Sequence, residues 1–506
     1  MRGLIQLFGQ LLTPAARRFH QALAAPELAQ RRVHQAICDR LVMSEYGKAL
    51  GIRSRADWQQ LPIVSYDELE PWILRAGLTP EPILFCEKTS GSGGAVKRIP
   101  YTRSLRRSFN HMFCVWAHDL IQNGPRFSTG VLYACISPQL STIDGSEKPG
   151  LQDDSDYLDA WLRWLLRPFL VMPKGLPQLR DAQLFQHQLC LALVQAERLE
   201  TISIWSPSFL QVHLNYIQDH RSRLQQELQH RISPNRLQCL IEPDIVWTQL
   251  WPHLKLISCW DSAQAADQAD GLRSQFPEVL VQGKGLLATE APITIPLIAA
   301  QGYVPVLDEV FLEFEDDAGC LHGLHELNLA QSYNLILSQK GGLYRYRLGD
   351  RVRVTHGYLN TPCLAFLGRS PAVSDLVGEK LHAGFVQQVL NHLNLSATHF
   401  QSLVPVAHPP HYVLLLDQAT ETADEIAHQL DQELSQSHHY HCARLLGQLT
   451  PPQVLIGHQI PERLTLHRVQ AGSVWGGIKH STLATSPIEA TLLQELQALS
   501  TLGKRD

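Results

Sequence analysis

The chain has 506 residues, enough for two or three domains, and 44% of them are hydrophobic, which suits a protein with large cores. A formal net charge of -5 gives no global attraction to nucleic acid. No run of about 18 apolar residues appears, polar residues interrupt the N-terminal apolar patches, and ten cysteines occur without a C-x-x-C. The expectation is a cytoplasmic protein with reduced thiols, without a membrane span, signal peptide or zinc site, and monomeric.

Residues 1 to about 50 read as helices, with apolar positions recurring through Leu4, Leu7, Leu11 and again Val33, Ile37, Leu41. Leu61 to Leu69 looks like a helix start, with Ser65 as N-cap and Glu68 at capping-box spacing. A short apolar run, Ile83 to Phe85, then leads into the stretch Cys86 to Thr102. Gly91, Gly93 and Gly94 let the backbone turn and present N–H groups to an anion. Thr89, Ser90 and Ser92 add hydroxyl donors, and Lys97 or Arg98 adds positive charge. The stretch reads either as a loop for a triphosphate or as a flexible Gly/Ser linker. It is not a Walker A loop, because no Lys-Ser or Lys-Thr follows the last glycine. A helix is predicted over Ser104 to Ile121; Arg106 and Arg107 near its start are either ligands for a carboxylate or surface residues.

Gly130–Ser137, Thr201–Trp205 and Leu254–Ser258 are predicted strands with helical segments between them, notably 208–229, so parallel pairing is expected. Residues 303–315 and 324–356 instead predict a smaller antiparallel sheet. Beyond about residue 370 comes a second α/β pattern: a strand at 411–416, a helix at 421–437, a strand near 453–460 and a helix at 486–498. The fold class is α/β, with mixed sheets flanked by helices in a large N-terminal domain and a small α/β C-terminal domain.

Gly285 to Glu290 follows a predicted strand at Val279–Gln282, and its turn presents Thr289 and Glu290 at a strand edge. A carboxylate there suits Mg²⁺ beside phosphates; a helix-capping pair is the alternative, which Pro292 and Pro296 disfavour. Leu343 to Asp350 alternates as a strand, with Tyr344, Tyr346 and Leu348 on one face and Arg345 and Arg347 on the other. Gly349 reads as a turn and Asp350 as the strand end, suited to accepting two ribose hydroxyls; a solvated edge strand is the alternative. Arg369 ends a strand from near Cys363, and Gly378-Glu379-Lys380 reads as a charged loop. Lys479 lies among glycines, as a phosphate-seeking ammonium or a surface lysine. His438, His439 and His441 are adjacent in a way that seldom converges on one ion, so a solvated helix end is expected.

Taken in order, these stretches resemble the Gretchen Hagen auxin-responsive family of acyl acid amido synthetases, in the adenylate-forming superfamily. Leu61 to Arg75 resembles the family's V-P-x-x-x-Y-x-D-L-x-P-x-I segment, and Thr89 to Thr102 its phosphate loop. Leu250-Trp251-Pro252 resembles L-W-P, Ala288-Thr289-Glu290 its A-T-E, and Tyr344 to Asp350 its Y-R-Y-R-x-G-D. Tyr440 with Arg444, and Gly472-Ser473 with Lys479, resemble two C-terminal motifs. Two positions depart from the pattern: Gly93-Gly94 replaces a Ser-small pair, and His480-Ser481-Thr482 follows Lys479 where plant members have T-P-R.

The resemblance implies an acyl-adenylate-forming domain over residues 1–369 and a lid domain over 370–506. It implies ATP and Mg²⁺, a small carboxylic acid and an amino acid or other amine as reactants, and an amide product. Ser90 to Gly94 with Lys97 or Arg98 would hold the phosphates, Glu290 the Mg²⁺, and Asp350 the ribose. Arg369 would assist near the ribose, and Lys479 would be the C-terminal catalytic lysine. The alternatives are an acyl-CoA ligase of the same superfamily and a non-catalytic nucleotide-binding protein; retention of Glu290, Asp350 and Lys479 argues against the latter.

Overall fold

The computed structural model describes residues 2–89, 97–135, 164, 166–173, 175–179, 181–369, 373–374, 376–377, 379, 381–393, 395, 398–445, 447–471, 478 and 480–502. They fall into two units, the first reaching Gly368 and the second starting at Arg369. Among the described residues no helix is long and apolar enough to cross a membrane.

The first unit opens with α1 (Arg2–Ala24) and α2 (Pro26–Met43), the latter with proline at its first turn. The periodicity of α2 holds, with Val33, Ile37 and Leu41 buried. In α1 the face is different from the expected one. Leu4, Leu7 and Leu11 are exposed, and Leu12, Ala16, Phe19 and Leu23 carry the packing. Helix α3 (Tyr66–Leu74) starts where predicted, with the Glu68 carboxylate accepting from the Ser65 N–H at 2.7 Å and its hydroxyl at 2.9 Å. Strands β1 (Phe85–Thr89) and β2 (Lys97–Tyr101) pair antiparallel, with Thr89 opposite Lys97. Helix α4 (Arg103–Asn123) follows directly, capped by the Thr102 hydroxyl, which accepts from the Leu105 N–H at 3.3 Å.

A four-stranded parallel sheet comes next, in the order β3 (Val131–Ala134), β4 (Leu199–Ser203), β5 (Leu256–Cys259) and β6 (Leu280–Gly283). Parallel neighbours need long crossovers; α5 (Ala182–Gln195), α6 (Pro207–Asp219), α7 (Arg221–Leu228) and α8 (Ala266–Gln275) lie within them. The helix expected over 208–229 is two helices. His220 separates them, its Nδ1 bonding the Tyr216 carbonyl at 3.1 Å.

Glu200, inside β4, is fully buried and holds the turn into β3. Its carboxylate accepts the N–H groups of Ser128 at 2.6 Å, Thr129 at 2.8 Å and Gly130 at 2.8 Å, and meets the Lys255 ammonium at 3.0 Å. Burial alone would raise its pKa, but these donors together lower it below the usual glutamate value. Replacing Glu200 by Ala is expected to cost about 3 kcal/mol of stability, read from urea unfolding. The native pKa lies below the unfolded one, so the contribution is full above about pH 4.3 and is lost as pH falls through the native value. The gap between wild type and variant should therefore shrink on acidification.

The rest of this unit is antiparallel. Two hairpins, β7 (Leu287–Ala288) with β8 (Ala291–Pro292) and β9 (Thr294–Leu297) with β10 (Gly302–Pro305), precede a five-stranded sheet. Its order is β12 (Leu321–Gly323), β11 (Val310–Glu315), β13 (Ser332–Gln339), β14 (Tyr346–Tyr358) and β15 (Thr361–Arg369). Along β11, Val310, Leu312 and Phe314 turn into the core, while Glu313 and Glu315 lie on the opposite face, partly buried under Arg345 and Arg347. The core joins these strands to α1, α2 and α4.

In the second unit β16 (Val373–Ser374) pairs with β17 (Leu381–His382), followed by α9 (Ala383–His392). A three-stranded sheet has the order β18 (Gln401–Val406), β19 (His411–Leu416), β20 (Gln453–Ile456). Helices α10 (Ala423–Leu434), α11 (His438–Leu445), α12 (Ile460–Gln470) and α13 (Ala490–Leu502) complete the unit. All six residues of β19 are buried, since one core lies on each face of the sheet. Tyr440 and Arg444 of α11 both bond Asp431, at 2.8 Å, so this pair fixes one helix to the next. Glu379 is no solvated loop charge. It is fully buried and accepts the N–H groups of Leu376 and Val377, each at 2.8 Å, and the Tyr412 hydroxyl.

Candidate functional site

Four separate sequence motifs of the first unit are hydrogen-bonded to one another. The Val64 N–H donates to the Arg345 carbonyl at 3.1 Å, and the Arg347 N–H to the Val64 carbonyl at 2.8 Å. Tyr66, two residues on, accepts the Arg98 N–H at 2.8 Å, and its ring lies 5.5 Å from the Lys97 ammonium. Tyr101, at the end of the same strand, donates to the Thr289 carbonyl at 2.9 Å. Tyr346 closes the circuit by donating to Glu290 Oε1 at 3.3 Å.

Thr289 and Glu290 form the two-residue turn between β7 and β8, not a helix start. Glu290 is 5% exposed, so it is a buried carboxylate at the tip of a tight turn. Asp350 is also buried, but not at a strand end as expected. Strand β14 runs on to Tyr358, and between the pairs Ile336–Arg347 and Asn334–Arg351 three of its residues, Leu348, Gly349 and Asp350, face Leu335 alone. Gly349 has φ of 84°, open to glycine without steric cost, and makes a bulge rather than a turn. Bulges re-aim the side chains beside them.

The arginines of this strand serve the scaffold. Arg345 is 6% exposed and precedes β14; it grips Glu313 at 3.0 and 3.1 Å and the Leu61 carbonyl at 2.8 Å. Burial raises the Glu313 pKa, with the guanidinium only partly offsetting it. Arg347 pairs with Glu315 in the same two-pronged way.

Ser90, Gly91, Ser92, Gly93, Gly94 and Lys479 lie outside the described residues. Thr89 and Arg369 are placed by their backbone, at the ends of β1 and β15. Arg106 and Arg107 stand in the first turns of α4, the first half-buried and the second exposed. The described candidates thus divide into Thr289, Glu290, Lys97 and Arg98, which one circuit joins, Asp350, four residues along β14 from Tyr346, and the α4 arginines.

The sequence reading missed the ends of the parallel strands. Trp205, Trp260 and Lys284 stand just past β4, β5 and β6, the edge where ligands of parallel sheets bind. One further group has metal-like chemistry: His111, Asp308 and Glu309 come together. The group is already neutralised, however, because Arg18 meets Glu309 at 2.7 Å and Lys340 meets it at 3.1 Å.

Three family models match in sequence: the GH3 family N-terminal domain at residues 15–245, the central domain at 303–369 and the C-terminal domain at 382–488. The jasmonoyl–L-amino acid synthetase JAR4 of Nicotiana attenuata is 32% identical over 112 residues, which are 21% of this chain but only 19% of that enzyme. The indole-3-acetic acid-amido synthetase GH3.15 of Arabidopsis thaliana is 23% identical over 475 residues, 78% of each. A solved structure of AtGH3.15 acyl acid amido synthetase in complex with 2,4-DB has the same fold, with a TM-score of 0.79 over 96% of each chain at 17% identity. With the three domain models in sequence along it and this fold around them, the chain belongs to the GH3 family.

Proposed function

We propose that the protein is an ATP-dependent acyl acid amido synthetase. The observation that supports this most is the closed circuit joining four motifs, with the buried Glu290 carboxylate in it and Asp350 on the same strand as Tyr346. Glu290 presents a carboxylate at the tip of the turn between β7 and β8, and Mg²⁺ takes few protein oxygens beside substrate phosphates, so Glu290 fits that ion. When bound, Mg²⁺ would neutralise phosphate charge and polarise the phosphorus–oxygen bonds.

Each residue has a bounded task. The cations Lys97 and Arg98, with the loop from Thr89 through Gly94, hold phosphate oxygens; Asp350 accepts ribose hydroxyls, assisted by Arg369. Lys479 is the candidate catalytic lysine of residues 370–506, the proposed lid domain, and residues 1–369 form the proposed adenylate-forming domain. In the first half-reaction an acid carboxylate oxygen attacks the α-phosphorus of ATP; the bond to the β-phosphate oxygen breaks and pyrophosphate leaves. In the second, an amine nitrogen attacks the acyl carbon, the bond to AMP breaks and the amine loses a proton. The protein forms no covalent bond itself, so positioning and charge stabilisation carry the catalysis. A cytoplasmic location is part of this reading, and none of the nine described cysteines is in a disulfide.

The test is ATP-dependent pyrophosphate release across aryl, indolyl, jasmonate-like and fatty acids, each with and without mixed amino acids. Release with an amide product detected by mass is expected. Release that responds to CoA instead would replace the reading with an acyl-CoA ligase, and ATP binding without release would leave a nucleotide-binding protein.

A further inference from the structure

One side chain reaches two consecutive residues of the strand that follows the glycine-rich stretch. Tyr66 opens α3 and is 6% exposed. Its hydroxyl accepts the Arg98 N–H at 2.8 Å, and its ring lies 5.5 Å from the ammonium of Lys97, the residue before. The hydroxyl therefore ties down the backbone where β2 begins, and the ring meets the side chain that begins it.

The alternation of β2 gives that lysine its side of the strand. Lys97, Ile99 and Tyr101 share one face, on which Ile99 and Tyr101 are fully buried. Tyr101 donates from that face to the carbonyl of Thr289, the residue beside Glu290. Tyr66 is held from the Glu290 side as well. Val64 forms a parallel bridge with Tyr346, whose hydroxyl donates to Glu290. Ser65, fixed by Glu68 at 2.7 Å, then carries the chain into α3. The path from Glu290 to Lys97 thus runs through Tyr346, Val64 and Tyr66.

We propose that Tyr66 is a positioning residue of the nucleotide site, whose ring holds the Lys97 ammonium ready for the phosphates of ATP at a fixed place relative to Glu290. This rests on the ATP-binding part of the amido synthetase reading. A lysine has a flexible four-carbon stem, and holding it on a phosphate costs rotamer freedom. An aromatic face attracts the ammonium before ATP arrives, so part of that ordering is already done in the free protein. The ammonium has three N–H donors, and contact with the ring on one side leaves donors for phosphate oxygens on the other. Tyr66 also belongs to the core of the first unit. A tyrosine that served packing alone would change stability and leave ATP affinity as it is.

The experiment measures binding of ATP with Mg²⁺ to the full chain by calorimetry, with the melting temperature of each variant and pyrophosphate release alongside. Tyr66→Leu should raise the Kd of ATP about fivefold or more, the effect of losing a ring–cation contact. Tyr66→Phe keeps the ring and should stay within about twofold of wild type. Lys97→Ala should raise the Kd about tenfold or more. Adding Tyr66→Leu to Lys97→Ala should change it less than about twofold further, because the ring then has no ammonium to hold. If Tyr66→Leu melts well below wild type, Tyr66→Phe and Lys97→Ala decide the matter. The inference fails if folded Tyr66→Leu binds ATP like wild type, or if the Tyr66 and Lys97 losses simply add. It fails equally if Tyr66→Phe weakens ATP as much as Lys97→Ala does. The expected pattern of Kd values in a protein that releases no pyrophosphate with any acid would overturn the synthetase reading and leave the role of Tyr66 standing.

Discussion

Replacing Glu290 by Ala is expected to lower acid-dependent pyrophosphate release by about 1,000-fold or more, the range for loss of one preorganised charge-stabilising group, on the order of 4 kcal/mol in the barrier. The fold should survive. Glu290 occupies a two-residue turn, where the Tyr346 hydroxyl donates to it at 3.3 Å. Losing that acceptor costs about 1 kcal/mol of stability. Glu290→Gln keeps an oxygen for Tyr346 and removes the charge, so it should melt like wild type and be as inactive as the alanine variant. Full release by either variant, with the acid and ATP that drive wild type, would remove Glu290 from the reaction.

The second large effect falls on stability. Arg345→Ala should cost about 3–5 kcal/mol, because it strands the buried Glu313 carboxylate and the Leu61 carbonyl together. The charges themselves are dispensable in this argument. Arg345→Met with Glu313→Leu, which removes both, should recover most of the loss, since no uncompensated charge then remains. Urea unfolding of Arg345→Met, Glu313→Leu and the double variant gives the coupling directly. Losses that simply add would show that Arg345 acts through packing alone.

What the sequence made legible follows from the range of each signal. The Ser65–Glu68 start of α3 depends on residues three apart and is readable, whereas the Thr102 cap of α4 is not read and that helix is expected from Ser104 instead of Arg103. The parallel and antiparallel regions were readable because their alternation patterns differ over whole segments. Periodicity in α1 identified a helix but not its packed face, since Leu4, Leu7 and Leu11 recur at the same spacing as the buried set. Gly349 was read as a turn because a positive φ serves turns and bulges alike, and only the register against β13 separates them. Glu379 looked like a loop charge because its donor Tyr412 lies in another strand. Trp205, Trp260 and Lys284 carry no local motif; parallel pairing alone makes them neighbours. The Glu290 and Asp350 motifs were visible as patterns, but the circuit tying them to Tyr66 and Tyr101 was not.

That circuit also sets a schedule for synthesis. Val64 is bonded to Arg345 and Arg347, some 280 residues later in the chain. At roughly 5–20 residues per second, the ribosome needs about 15–55 s to deliver the partners once Val64 has been made. The parallel sheet, complete at Gly283, has all its strands well before then. A nascent chain halted between the two points would carry the finished parallel sheet with the Val64 segment still awaiting its strand, so the two regions of the unit mature at different times.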